Sequence, residues 1–193
     1  LLTCDLPKNV DTIYHLAAYA SVEESWSEPV LYMDNLKTTA RLIQKYPEAR
    51  IIHASSWSAM STKSPYGFSK KIASDYLKLF HKNYVNLVFP NIYGGSIRSV
   101  VDLWAGKDEV TIFGDGLQER DYVHVDDIVE GLLMAEHWEP GEYVMGSGIR
   151  TTLLDLAKGK KIIFAPARKE EREIVIPNTT PNWKPTLNVY DYL

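Results

Sequence analysis

Short apolar runs recur along the chain, and most are followed by a longer stretch whose apolar residues lie three to four positions apart. The first pattern is typical of buried strands and the second of amphipathic helices. The runs predict strands over 12–16, 50–54, 85–89, 121–125 and 142–145, and the helical patterns cover 32–46, 65–82 and 126–137. Alternating strands and helices predict an α/β fold on a mostly parallel sheet.

The last fifty residues follow a different pattern. Residues 151–155 resemble a helix capping box, and residues 156–164 leave room for only a short helix, a turn and a strand. Proline, asparagine, threonine and lysine then become frequent, which indicates a loop-rich end. No linker that would separate two independent domains is found in the sequence.

Composition narrows the choice of function. The 193 residues are 45% hydrophobic and carry a formal net charge of -4, which suits a globular protein and gives no general attraction to nucleic acid or to an anionic membrane. No apolar stretch reaches the ~20 residues that a membrane-spanning helix needs. The single cysteine, Cys4, cannot form an internal disulfide. We therefore expect a cytoplasmic protein without nucleic-acid or membrane partners.

A phenol and an ammonium lie four residues apart where one of the predicted helices begins. Ser64 is a suitable N-cap and Pro65 suits the first turn, so Tyr66 and Lys70 share one helical face. A tyrosine with a pKa of about 10 is a poor base at neutral pH, but a neighbouring cation favours its phenolate. The pair could therefore transfer a proton. An ordinary amphipathic helix with a surface lysine is the commoner explanation when such a pair is taken alone.

Small and hydroxyl side chains follow two predicted strands at their carboxyl ends, where open α/β sheets bind ligands. Ala17 and Ala18 follow the first strand and would let a cofactor approach the backbone, although tight packing explains them too. Ser56 follows the second strand, and its hydroxyl could contact a sugar oxygen or simply cap a turn.

Other polar residues have both a functional and a structural interpretation. Arg120 and Arg168 carry guanidinium groups that match phosphate oxygens, although most arginines are solvated surface residues. Asn91 precedes Tyr-Gly and could equally be a turn residue. His124 lies in an alternating strand pattern away from any set of metal ligands, so we interpret it as a core histidine and expect no metal site. Packing is the best explanation for four tryptophans, Trp57, Trp104, Trp138 and Trp183.

Six segments in one order resemble the extended short-chain dehydrogenases/reductases of the NAD-dependent epimerase/dehydratase family, and among these the UDP-glucose 4-epimerases. The resemblance runs from about Val10 to the end of the chain. The segments are 11–18, 54–56, 66–70 (Tyr-Gly-Phe-Ser-Lys), 91–94 (Asn-Ile-Tyr-Gly), 114–125 and 166–171, together with Ser25, Pro29 and Asn35.

The resemblance implies a role for each candidate residue. Ser56, Tyr66 and Lys70 would be catalytic, and Ala17 and Ala18 would join Tyr66 and Lys70 in binding NAD, with NADP not excluded. The residues implied to bind a nucleotide-diphosphate sugar are Asn91, Arg120, Arg168 and Glu171.

The resemblance also implies a fold and an assembly. Residues 1–92 would belong to a Rossmann-type doubly wound parallel sheet that lacks its first strands. Residues 93–193 would form a small C-terminal substrate-binding α/β region, with 120–137 returning to the Rossmann domain. Family members pair through two helices, here about 32–46 and 65–82, so a homodimer is expected.

The implied chemistry is oxidation of a sugar hydroxyl to a keto-sugar and return of the hydride to its other face. Dehydratases of the family place Asp-Glu directly after the catalytic serine or threonine, whereas Trp57 and Ser58 follow Ser56 here. An epimerase, of the UDP-glucose/UDP-galactose 4-epimerase kind, is therefore expected before a dehydratase or a reductase.

The family's Gly-rich phosphate-binding loop is absent from the sequence. By resemblance roughly 55 to 60 residues, about two βαβ units, should precede Leu1. The alternative is a truncated, non-catalytic relative that binds nucleotides.

Overall fold

The computed structural model describes residues 1–95, 99–167 and 178–193. The chain forms two compact units: residues 1–88 with 132–143 make the first, and residues 89–131 with 144–193 make the second. The predicted division at residue 92, with 120–137 returning to the first domain, stays a prediction.

The first unit is built on a four-stranded sheet in the order β1-β2-β3-β8. Its strands are β1 (Thr12–His15), β2 (Arg50–Ser56), β3 (Tyr84–Phe89) and β8 (Gly141–Val144). Its helices are α1 (Val22–Ser27), α2 (Asp34–Lys45), α3 (Ser58–Ser61) and α4 (Pro65–Phe80), with 3₁₀ turns at Leu31–Met33 and Ala135–His137. Strands β1 and β2 are parallel, so their carboxyl ends lie at the same edge of the sheet.

Burial explains why the strands of this sheet are continuous apolar runs. A parallel sheet is usually covered on both faces, which removes the alternation of polar residues. In β2, residues 51–55 are all buried, and in β3 residues 85–89 are buried. Helices α2 and α4 lie against this core, where Ile43 and Leu77 pack around Ile51.

The start of α4 follows from its own sequence. The Ser64 hydroxyl accepts a hydrogen bond from the Gly67 amide at 3.0 Å, and Pro65 occupies the first turn. The proline lacks an N–H that would in any case have no partner within the helix, so it costs nothing there. The helix therefore begins at the predicted residue.

The second unit contains six short strands and three helices within its described residues. The strands are β4 (Asn91–Tyr93), β5 (Glu109–Phe113), β6 (Glu119–Arg120), β7 (Tyr122–His124), β9 (Thr151–Thr152) and β10 (Lys161–Ala165). The helices are α5 (Val100–Trp104), α6 (Val125–Met134), which continues into the first unit, and α7 (Leu153–Leu156), with a 3₁₀ turn at Val189–Asp191. Strand pairs β4–β7 and β10–β5 are parallel, and β6–β9 is antiparallel.

Two sets of hydrogen bonds between side chains and backbone fix parts of the second unit. Thr152 and Asp155 form the predicted capping box of α7, because each side chain bonds the backbone N–H of the other. Asp127 is 3% exposed and accepts hydrogen bonds from the Thr186 amide at 3.0 Å and the Leu187 amide at 3.1 Å. A buried carboxylate needs such donors, and here they hold residues 186–187 against α6.

Most elements predicted from periodicity are present with shifted ends. The helix predicted over 32–46 is α2 at Asp34–Lys45 preceded by a 3₁₀ turn, and the helix predicted over 65–82 ends at Phe80. The predicted strand over 121–125 is reduced to Tyr122–His124. The α/β fold with a parallel central sheet is confirmed.

Candidate active site

Lys70 is the most unusual charged residue in the first unit. It lies in the second turn of α4, is 5% exposed, and its Nζ donates to the carbonyl oxygen of Ala54 at 2.7 Å. Removal from water lowers the pKa of the ammonium from 10.5 to about 8. The lysine is therefore not the surface residue that its amphipathic helix allowed, and its charge is held at the carboxyl end of β2.

Tyr66 lies one helical turn before Lys70 and is partly exposed. Its ring meets the edge of the buried Tyr32 ring, with centroids 6.2 Å apart. A side chain four residues from a buried cation on one helix lies on the same face. The Tyr66 ring is thus positioned on one side by its contact with Tyr32, and it shares a helical face with the fixed charge of Lys70.

Ser56 ends β2, two residues after the carbonyl that accepts Lys70. Its Oγ accepts the Ser58 amide at 3.3 Å, and the side chain is partly exposed. Helix α3 then packs so closely on α4 that a Cβ at Gly67 would lie 2.3 Å from the Ser58 carbonyl oxygen. A glycine at 67 is therefore what allows α3 to pack this closely on the first turn of α4.

The loop after β1 is fixed by a single amide. Asn35 is 3% exposed, and its Oδ1 accepts the Tyr19 amide at 2.9 Å while its Nδ2 donates to the Tyr19 carbonyl at 3.0 Å. The same Nδ2 donates to the Ser69 hydroxyl at 2.9 Å. Exposed Ala17 and Ala18 therefore lie in a loop that is hydrogen-bonded to the helix that carries Lys70.

Two histidines occupy matching positions on β1 and β2. His15 pairs with His53 in the parallel register, and their ring centroids are 5.2 Å apart. Burial and the Lys70 charge lower the pKa of His15 to about 4, and the same two causes lower the pKa of His53 well below its usual value. Both imidazoles are therefore neutral at pH 7.

The predicted substrate-binding residues belong to the second unit. Asn91 begins β4 and its amide donates to the Asp121 carbonyl at 3.1 Å, while Arg120 ends β6 opposite Thr151; both side chains are partly buried. Arg168 and Glu171 lie outside the described residues.

The second unit has a cavity of about 350 Å³. Tyr122, two residues after Arg120, lines it. Ser147, Asn178, Lys184 and Thr186 add polar and cationic groups to its wall. Asp121 is fully buried and accepts hydrogen bonds from the Ser147 amide and hydroxyl and the Gly148 amide, so it holds one side of the cavity in place.

The described residues contain no group of three or more His, Cys, Asp or Glu that could hold a metal ion. His124 is largely buried and contacts the Tyr93 ring, as expected of a core histidine. The four tryptophans interpreted as packing residues are also buried. None of the helices in the described part of the chain is long and apolar enough to cross a membrane.

Sequence reasoning missed the buried polar residues behind the candidate pair. His15 and His53 read as parts of apolar runs, and Asn86 lies inside the run of β3. A polar residue within an otherwise apolar run was the available signal, because such a residue must be hydrogen-bonded when the strand is buried.

Comparison with known proteins places the chain in a family. Residues 4–146 match the model of the NAD dependent epimerase/dehydratase family. A putative UDP-glucose 4-epimerase of Methanocaldococcus jannaschii is 29% identical over 94% of this chain and 74% of that protein. An uncharacterized UDP-glucose epimerase of Bacillus subtilis is 31% identical over 68% of this chain, which spans only 52% of that relative.

Solved structures resemble the fold closely. The UDP-glucose 4-epimerase of Thermotoga maritima, solved with UDP-glucose, superposes with a TM-score of 0.84 at 27% identity, over 94% of this chain and 74% of that one. The Thermus thermophilus UDP-glucose 4-epimerase in complex with NAD gives a TM-score of 0.78 at 25% identity, over 95% of this chain and 76% of that one. The chain belongs to the NAD-dependent epimerase/dehydratase family.

Proposed function

We propose that the protein is an NAD-dependent nucleotide-sugar epimerase of the UDP-glucose 4-epimerase kind. The observation that carries the proposal is the buried Lys70 ammonium, fixed by the Ala54 carbonyl one helical turn from Tyr66. Burying a cation costs free energy, so its retention at this strand end indicates use in chemistry.

Tyr66 is the proposed base. Its phenolate takes the proton from a sugar hydroxyl, and the charge of Lys70 lowers the free-energy cost of forming that phenolate. With a pKa of about 8, Lys70 is still mainly charged at pH 7. Ser56, at the end of β2, is proposed to hold the same sugar oxygen through its hydroxyl.

The residues at this strand edge suit a nicotinamide dinucleotide. Exposed Ala17 and Ala18 leave the backbone after β1 open, and the described contact of Lys70 uses one of its three N–H donors. We propose that these residues and Tyr66 hold NAD, or alternatively NADP. When bound, NAD supplies the acceptor that takes hydride from the sugar carbon and returns it.

The segment after Ser56 favours epimerisation over elimination. The two residues that directly follow Ser56 are Trp57 and Ser58, and neither carries a carboxylate. Both are buried. Elimination of water needs a second acid and base beside the phenol. A keto-sugar formed here has only the return of hydride open to it, which restores the alcohol with either configuration.

The second unit supplies the proposed sugar-nucleotide contacts. Arg120 and Arg168 are proposed to bind the diphosphate through their guanidinium groups, Asn91 the sugar, and Glu171 the ribose. The cavity lined by Tyr122 contains one cationic side chain, Lys184, and several polar ones, which is compatible with binding part of a nucleotide diphosphate.

Product analysis tests the reaction. Incubation with UDP-galactose and NAD should give UDP-glucose with no net change in NADH absorbance, and Tyr66→Phe should lower the rate at least about 100-fold without changing the melting temperature by more than a few degrees. A 4-keto-6-deoxy product would indicate a dehydratase, and stoichiometric cofactor consumption a reductase. The proposal would be contradicted if the protein showed no turnover and if NAD and UDP both failed to raise its melting temperature.

A homodimer and a cytoplasmic location are proposed with the enzyme. Helix α4 exposes Phe68, Leu79 and Phe80 by half or more, and such apolar groups are compatible with a helix–helix interface between two copies. Sedimentation equilibrium at micromolar concentration should give twice the chain mass, and a monomer there would contradict the pairing.

A further inference from the structure

A line of hydrogen-bonded side chains leads from the surface of the first unit to His53 in the middle of β2. Lys78 and Glu142 form an ion pair of 2.6 Å with side chains about one third exposed. Glu142 Oε2 accepts from Asn86 Nδ2 at 2.6 Å, and Asn86 Oδ1 lies 2.7 Å from His53 Nδ1. Asn86 and His53 are at most 2% exposed. We call these four residues the polar line.

The polar line determines where the proton of His53 lies. A carboxylate only accepts hydrogen bonds, so the Asn86 amide group must point its NH₂ at Glu142 and its oxygen at His53. Asn86 Oδ1 also accepts the Ser74 hydroxyl, at 3.3 Å. His53 must therefore donate from Nδ1, and a neutral ring then carries no proton on Nε2.

The neighbours of His15 select the other tautomer from that of His53. The Thr39 hydroxyl donates its proton to the Asn35 carbonyl at 2.9 Å, so it accepts from His15 Nε2 at 3.0 Å. The His15 proton therefore lies on Nε2. His15 Nδ1 is a buried acceptor without a partner among the described residues. The two rings differ in tautomer because different neighbours set each one.

Neutral imidazoles matter here because Lys70 is close. The groups around His53 are Lys70 and Ser74 on α4, His15 on β1, Asn86 on β3 and, through the amide, Glu142 on β8. A proton on the second nitrogen of His53 would place another cation near a buried ammonium. Two buried cations repel strongly at low dielectric, which would displace Lys70 from the Ala54 carbonyl.

We propose that Glu142, acting through Asn86, fixes the single proton of the neutral His53 ring on Nδ1, while burial keeps the ring neutral, and that this imidazole is a positioning residue for Lys70. Its relevance to catalysis rests on the proposed function, because only a base at Tyr66 makes the placement of Lys70 matter. The arrangement itself does not depend on the sugar or on the direction of reaction.

The tautomer is read by NMR of the ¹³C- and ¹⁵N-labelled protein, from the ring-carbon and ring-nitrogen shifts of His53. The wild type should show a neutral ring protonated on Nδ1 from pH 5 to pH 8. In Glu142→Gln the amide of Asn86 can turn over, and the signal should move towards the Nε2-protonated form. Lys78→Gln removes only the outer ion pair and should leave the signal unchanged.

The effect on Lys70 is isolated by a double-mutant cycle. Glu142→Gln should lower the Lys70 pKa, read from its ¹³Cε shift, by roughly half a unit, because the change in His53 removes stabilisation of the cation. In a His53→Phe background Glu142→Gln should change the Lys70 pKa far less, because the polar line no longer reaches an imidazole. All variants are first checked for an unchanged circular dichroism spectrum and melting transition.

Three results would overturn the proposal: a wild-type His53 protonated on Nε2, a His53 signal unaffected by Glu142→Gln, or an equal Lys70 shift in both backgrounds, which would indicate a direct effect of the lost charge. Failure of the proposed function would appear differently, as absent epimerase turnover with the NMR results intact. The two outcomes are therefore distinguishable.

Discussion

At the scale of single residues, burial of the Lys70 ammonium costs folding free energy, although the same charge is proposed to serve catalysis. Its burial lowers its pKa to about 8, so the charged form still predominates at pH 7 but is less favourable in the folded protein than in the unfolded chain. The ordinary lysine pKa is 10.5, and each unit of difference corresponds to about 1.4 kcal/mol. The folded state therefore bears a cost of about 3 kcal/mol for this ammonium, partly offset by the hydrogen bond to Ala54.

Lys70→Met tests this cost directly. Methionine has similar volume and no charge, so the free energy of unfolding at pH 7 should rise by about 1 kcal/mol, after allowing for the lost hydrogen bond. Turnover should fall about 100-fold or more, since the Tyr66 phenolate loses its cation. Urea denaturation and the UDP-galactose assay measure the two effects.

Lys71→Met is the matched control. Lys71 is exposed and paired only with Asp75 on the helix surface, so both stability and turnover should remain near wild type. A loss of more than 1 kcal/mol in Lys70→Met would mean that the ammonium stabilises the fold, and the site would then need no chemical explanation.

Asn35 is a second residue with a large predicted effect, because its side chain holds the loop that follows β1. In Asn35→Asp the NH₂ that donates to the Tyr19 carbonyl and to Ser69 becomes an acceptor, and a buried charge appears. We expect a loss of about 3 kcal/mol in the free energy of unfolding and faster amide hydrogen exchange over residues 16–20. The neighbouring Asp34→Asn changes an exposed ion pair and should cost less than about 1 kcal/mol. Unchanged exchange over 16–20 would contradict the role of Asn35 in ordering the loop.

At the scale of elements, the packing of α3 on α4 depends on a missing side chain. An alanine in an exposed helix is better than glycine by about 1 kcal/mol, but a Cβ at Gly67 would lie 2.3 Å from the Ser58 carbonyl oxygen. Backbone atoms cannot move aside cheaply, so Gly67→Ala should instead lose about 1–3 kcal/mol. The displaced α3 should also lower turnover through Ser56, and thermal melts with the product assay measure both.

Gly141→Ala is the control for Gly67→Ala. The nearest atom to its added Cβ is in the Tyr143 ring at 3.4 Å, which is ordinary contact, so stability should change by no more than about 0.5 kcal/mol. If Gly67→Ala were as stable as Gly141→Ala, the close contact of α3 with α4 would be wrong.

Element by element, periodicity and caps predicted the parts that local rules determine. Ser64 and Pro65 place the start of α4, and Thr152 with Asp155 places α7, because both ends are written in a few adjacent residues. The helical spacing of Tyr66 and Lys70 was equally readable.

Contacts between distant segments were not predictable from one sequence. The Ala54 carbonyl that accepts Lys70 has no side-chain signature, and the pairing of His53 with Asn86 joins residues 33 positions apart. Such contacts depend on the order β1-β2-β3-β8, which periodicity does not supply. The family resemblance implied candidate reacting residues but said nothing of the buried polar groups behind them.

At the scale of the whole molecule, the buried histidines should set the response to acid. The pKa of His15 is lowered to about 4 and that of His53 also lies well below 6.5, so the unfolded chain binds more protons than the folded one between these values. Stability is then fully present above about pH 6.5 and is lost as the pH falls towards 4. Burial raises the pKa of Asp121, so this carboxyl acts in the opposite direction.

The expected slope reaches about 1.4 kcal/mol of unfolding free energy per pH unit for His15 near pH 5, between its unfolded and folded pKa values, and His53 adds to it in the same direction. His15→Gln keeps an N–H donor for Thr39 but cannot be protonated, and it should lower the slope. His137→Gln, at an exposed position, should leave the slope unchanged. Urea denaturation at half-unit pH steps measures it. A slope that is the same in all three proteins would mean that the fold does not keep the His15 imidazole neutral.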